Sequence, residues 1–173
     1  MKRSMLPHNL NLRKMILAVT FVGLSIGATS CTSATTSSRQ NYSLGGVDSA
    51  GRPVYAGALP IQNSYAFQQF SYGRQTEREK LLYLLSRIHQ LKNYHFHYRG
   101  GRFGLSETYK TVEWIFYNWY KPGQTARDFL HSQFSHFERG GNPLLVEFPD
   151  GTRHHAPSIA FNELTLLEQT ALL

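Results

Sequence analysis

The chain holds one cysteine, Cys31, in 173 residues. A single thiol excludes an internal disulfide framework and a thiolate metal site of the usual two to four ligands. Acidic residues are also scarce, eleven in all, and every one follows Cys31. No apolar run approaches the roughly twenty residues a helix needs to cross a bilayer core of about 30 Å. No serine stands in a G-x-S-x-G elbow, and the pairs Gly100-Gly101 and Gly140-Gly141 suit turns rather than a phosphate loop. Neither a catalytic motif nor a cofactor motif emerges, so the chain is read for location, architecture and surfaces.

The longest apolar run is Met15 to Ala28, about fourteen residues or about 21 Å as a helix. Lys2, Arg3, Arg13 and Lys14 precede it, and the small residues Ala28, Thr29 and Ser30 follow, directly before Cys31. That order of basic, apolar and small residues is an export signal over residues 1–30. Its end resembles the lipobox of bacterial lipoprotein precursors, with Ala28 in the place the motif usually gives to Leu. The resemblance implies a diacylglycerol on Cys31, and two or three acyl chains hold a protein stably at a membrane. Thr32, where enteric lipoproteins of the inner membrane carry Asp, points toward an outer membrane. The same residues also read as an ordinary secretory cleavage site or as a retained anchor.

Removing the signal changes the charge. Four of the eighteen basic residues lie before Cys31, leaving fourteen against eleven acids, a surplus of three. With no basic run, this argues against nucleic acid as a partner. Packing must then supply the stability. Eleven Phe, ten Tyr and two Trp can do so, each burying about 150–250 Å².

Residues 32–40, TSATTSSRQ, read as a polar tether. Residues 41–74 contain turn signals and a Tyr65, Phe67, Phe70, Tyr72 series, with no visible core. Residues 31–74 are therefore expected to be a flexible, aromatic-containing linker; the alternative is that these aromatics dock on the following domain or on a partner. A compact α+β domain of about four helices and two short hairpins is predicted over residues 75–173. Thr76 and Glu79 form a capping box for a helix with Leu81, Leu82, Leu84, Leu85, Ile88 and Leu91 inward and Arg87 outside. Tyr94–Arg99 alternates as a strand, with Phe96 on one face and His95 and His97 on the other, and Gly100-Gly101 turns it back. Ser106 is expected to cap a helix to Tyr120 with Tyr109, Val112, Phe116 and Trp119 inward. Thr125 and Asp128 open a helix over Ala126–Phe137; Leu144–Phe148 and Thr152–His155 make the second hairpin; Pro157-Ser158 opens the last helix.

This order resembles a small family of exported bacterial proteins of unknown function. The shared features are the Leu-rich helix, the strand Phe96–Gly101, Gly141-Asn142-Pro143 before Leu144-Leu145-Val146, and Pro157-Ser158. Members often carry two cysteines in the two strands. Tyr94 and Phe148 occupy those places here, which implies an aromatic contact instead of a bridge. The family brings no activity with it.

Histidines are the one tempting chemical group. His95 and His97 lie about 7 Å apart on one strand face, and His155 on another strand could join them around a metal. A solvated strand face explains the same pattern. Trp114 and Tyr117 exceed what one buried helical stripe requires, and with Arg99 or Arg102 nearby they suggest a contact surface. The reading is an exported protein, lipid-anchored through Cys31 at a cell or outer membrane, with a binding or structural role toward another envelope protein and no cofactor. Two alternatives stand beside it: a metal-assisted envelope hydrolase using His95, His97 and His155, and an immunity-type inhibitor of a secreted toxin.

Overall fold

Thr76 fixes where the Leu-rich helix begins: its hydroxyl accepts from Glu79 N at 3.3 Å while Glu79 Oε2 accepts from Thr76 N at 2.9 Å. This is the expected reciprocal cap, and it satisfies two amides that a helix start leaves bare. The computed structural model describes residues 42–43 and 45–172. The signal, Cys31 and the tether to residue 40 lie outside the described residues.

Five α-helices are described: α1 (Tyr65–Tyr72), α2 (Glu77–His89), α3 (Leu105–Trp119), α4 (Ala126–Phe137) and α5 (Ala156–Ala171). The strands are β1 (Tyr42–Ser43), β2 (His95–Tyr98), β3 (Gly101–Gly104), β4 (Leu145–Glu147) and β5 (Arg153–His155). They form one sheet in the order β1-β5-β4-β2-β3, antiparallel except where β1 pairs parallel with β5. The α+β class and both hairpins are as the sequence predicts. Arg99 and Gly100, both at positive φ (48° and 77°), make the tight turn between β2 and β3.

Side-chain parity divides the sheet. Phe96 lies opposite Phe103 and Val146, and Val146 lies opposite His154, so these four share one face. That face packs on Leu91 and on Ile159 of α5. The other face carries His95, His97, Arg102, Leu145, Glu147, Arg153 and His155. A second, larger cluster joins the helices through Phe70, Leu81, Tyr83, Leu84, Phe116, Phe129, Leu164 and Leu167.

Residues 45–74 correct the expected linker. Ile61, in a short 3-10 turn, and Ala66 and Phe70, one turn apart on α1, are buried in the helical cluster. Ser64 caps α1 by accepting from Phe67 N. The near alternation of aromatics with polar residues concealed a helix whose buried stripe is Ala66 and Phe70. Burying a side chain such as Phe70 or Ile61 contributes about 1.5–3 kcal/mol, enough to hold a short helix that would not stand alone. The compact body therefore includes residues 45–74, and the fifth helix is α1.

Smaller differences have local causes. Helix α3 begins at Leu105 with Gly104 as its cap, Glu107 accepting from Gly104 N, because β3 feeds directly into the helix and leaves Ser106 inside its first turn. Trp119 is exposed although it was expected inward; Ile115 and Phe116 make the buried contact of α3. Arg87, expected outside, is buried.

Candidate functional site

Helix α3 sets its buried stripe at Ile115 and Phe116, which leaves Trp114, Tyr117 and Trp119 on the outside, 38%, 60% and 39% exposed. Trp114 and Trp119 meet edge to face with ring centroids 5.8 Å apart. Trp119 in turn meets His136 of α4 at 5.8 Å, His136 meets Phe137 at 6.1 Å, and Phe137 meets Tyr98 of β2 at 5.9 Å. The Tyr98 hydroxyl donates to the Phe137 carbonyl at 2.7 Å, and Arg99 stacks over the Tyr98 ring at 5.2 Å. A continuous path of rings thus joins Trp114 to Arg99 across two helices and a strand. Tyr117 lies beside it on α3, its ring against Phe116. Of the residues expected to form a contact surface, Trp114, Tyr117 and Arg99 fall along this ribbon.

Arg102 is engaged elsewhere. Its Nη2 donates to Glu147 Oε1 at 2.9 Å and reaches His95 Nδ1 at 3.1 Å. Glu147 also accepts from Arg153 Nε at 2.9 Å and meets His97 Nε2 at 2.9 Å. Hydrogen bonds from Arg153 and then Arg102, with the charges of both, pull the Glu147 carboxyl down to about 2. His97 is held below the ordinary imidazole value, first by its partial burial and then by the Arg153 charge, against the pull of Glu147.

His155 has different partners: Nδ1 is 2.9 Å from Ser158 Oγ, and Nε2 reaches Glu138 Oε1. The three histidines therefore do not converge on one point. Among the described residues no group of three His, Cys, Asp or Glu side chains is placed to hold a metal ion. The expectation of a metal set at His95, His97 and His155 fails because each imidazole is drawn to its own neighbour. The carboxylates that do this, Glu147 and Glu138, come from distant sequence positions.

Arg87 and Glu163 form a second feature the sequence reading missed. Glu163 accepts from Arg87 Nε at 3.1 Å, Arg87 Nη2 at 3.0 Å, Tyr83 Oη at 3.0 Å and Ala56 N at 2.8 Å. Arg87 Nη2 also donates to the Ala58 carbonyl at 3.4 Å. The pair thus ties residues 56–58 to α2 and α5. Asn162 extends the tie, donating to the carbonyls of Gly46 at 2.7 Å and Val54 at 3.0 Å. Gly57 lies so close to the guanidinium that a Cβ there would fall 2.8 Å from Arg87 Nη2.

A cavity of about 100 Å³ lies beside this pair, walled by Leu84, Ile88, Tyr94, Phe96, Val146 and Ile159 among others. Its walls are almost wholly apolar, which suits no polar substrate. A larger surface groove runs between α1 and α2, edged by the exposed Tyr65 and Tyr72. No described helix is long and apolar enough to cross a membrane. No protein-family model, curated protein or solved structure matches the chain.

Proposed function

We propose that the protein is an exported, membrane-anchored binding module, held by lipid on Cys31, that recognises another envelope component through the α3 aromatic ribbon. The observation that carries this reading is the Trp114–Trp119 pair, in contact with each other and open to solvent, with Tyr117 beside them. Exposed tryptophan and tyrosine rings held rigid by neighbours are the side chains that dominate binding energy at protein interfaces. Arg99 at the far end adds a cation that can stack or pair with a partner carboxylate. The basic, apolar and small order of residues 2–31 supports the location, and the small positive surplus of the chain after Cys31 supports a protein partner over nucleic acid.

In-cell crosslinking followed by capture of the protein tests the reading. A Trp114→Ala, Tyr117→Ala double variant should lose the crosslinked partner while its melting temperature stays within a few degrees of the parent. A large fall in melting temperature would reassign these rings to the core. For the anchor, Cys31→Ala should move the protein from the membrane to the soluble fraction, and a variant that stays membrane-bound would count against lipidation.

A further inference from the structure

Ser158, His155 and Glu138 stand in the relation of nucleophile, base and orienting acid, and we propose that they form a hydrolytic site for a carboxylic ester. His155 is the cap residue at the start of α5 and Ser158 lies in its first turn, which brings Oγ to 2.9 Å from His155 Nδ1. Glu138, just past the end of α4, meets His155 Nε2 at 2.5 Å. A carboxylate can only accept, so Nε2 carries a proton toward Glu138, and with the other nitrogen unprotonated Nδ1 can accept from the serine hydroxyl. Glu138 is itself held, since Oε1 also accepts from Leu144 N at 3.1 Å. The ring nitrogens are used in the reverse sense to the familiar serine-hydrolase arrangement, but the roles are the same, and those roles rather than sequence order define such a site.

All three side chains are partly open to solvent. Gly46 packs against the serine, where an added Cβ would fall 2.5 Å from Ser158 Cβ. In the first step Ser158 Oγ bonds to the ester carbonyl carbon and its proton passes to His155 Nδ1. The tetrahedral centre collapses, the carbon to alkoxide-oxygen bond breaks, and the leaving alcohol takes the proton from His155. Water then attacks the acyl-serine and gives its proton to Nδ1. The acid departs, and Ser158 Oγ recovers the proton. Glu138 holds Nε2 throughout as the positioning residue, and the positive end of the α5 dipole favours the developing oxyanion. Stabilisation by a helix dipole suits an ester, whose leaving group departs more readily than an amine.

A fluorophosphonate probe on the full-length protein, read by peptide mass spectrometry, tests this. The parent chain should carry one adduct, on Ser158, absent in Ser158→Ala and formed at least tenfold more slowly in His155→Gln. Glu138→Gln should displace the pH dependence of labelling, and Glu138→Asp should restore it, with melting temperatures recorded to show that each variant is folded. No adduct on Ser158 in the folded parent, or an unchanged rate in folded His155→Gln, overturns the proposal. Labelling depends on Ser158 and partner capture on Trp114 and Tyr117, so either can fail without the other.

Discussion

Arg87 and Glu163 meet inside the fold by two hydrogen bonds, with 4% and 1% of their side chains exposed. A buried pair of this kind adds little over a well-packed apolar pair, because desolvation offsets most of the attraction. Removing one partner is different, since it strands a charge in the core. Glu163→Ala should therefore cost about 3–5 kcal/mol in urea unfolding. Replacing both residues by apolar ones, as in Arg87→Met with Glu163→Leu, should recover much of that loss. Recovery will be partial, because Ala56 N and Tyr83 Oη lose their acceptor too.

Asn162 is the second tie on the N-terminal part of the body. Its amide holds two carbonyls, Gly46 and Val54, and each such bond contributes about 0.5–1.5 kcal/mol. Asn162→Ala should cost roughly 1–3 kcal/mol by that measure and, more tellingly, expose residues 45–58 to proteolysis while the helices stay protected. Gly46→Ala should produce the same cleavage pattern by a different route. Gly46 sits at φ 64° against Ser158, so an added methyl meets both backbone strain and a collision.

Much of the fold could be read from local signals. The Thr76 capping box, the helix Ala126–Phe137 and both hairpins each arise from residues a few positions apart. Arg87 and Glu163 carry a signal in the sequence itself. Arg87 lies three residues after Leu84 and four before Leu91; Glu163 lies four after Ile159 and four before Leu167. A lone charge on each of two apolar stripes is the mark of a buried pair. Glu147 meets Arg153 within its own hairpin, but its meeting with His97 and Arg102 left no such mark, because it depends on β4 lying beside β2. That strand order is not written in either hairpin. The same holds for Glu138 and His155, joined only when the chain after α4 passes the start of α5.

Tyr94 and Phe148 face each other at the open end of the β2–β4 ladder. The register that sets His95 opposite Glu147 continues to this pair, and the rings lie 4.8 Å apart. Truncating either ring should remove an aromatic pair worth about 0.5–1.5 kcal/mol beyond the area it buries. Directly opposed positions in an antiparallel ladder have Cα atoms about 4.5–5.5 Å apart, within the range a disulfide spans. Tyr94→Cys with Phe148→Cys should thus oxidise spontaneously, seen as a linked peptide pair by mass spectrometry. Both cysteines remaining free in air would contradict this register.

Glu147 and His97 make stability depend on pH in two separate windows. The Glu147 carboxyl is pulled from an ordinary 4.5 to about 2, so its contribution is complete above 4.5 and is lost as pH falls from there toward 2. Asp48, Glu79, Asp150 and Glu168 are depressed too and fade on the same acid side. The contribution of Glu147 is therefore isolated by difference: the melting temperature of the parent should exceed that of Glu147→Gln at neutral pH, and the gap should close between pH 4.5 and 2. His97, held below 6.5 by burial and Arg153, favours the fold while neutral, so its share is present above pH 6.5 and begins to fade below it. His97→Gln removes that contribution. The parent should lose stability relative to this variant as pH falls from 6.5 toward 5, a stretch in which Glu147 stays ionised and contributes no change. A gap that is flat there, or that widens in favour of the parent, would show that Glu147 outweighs burial and Arg153 at the imidazole.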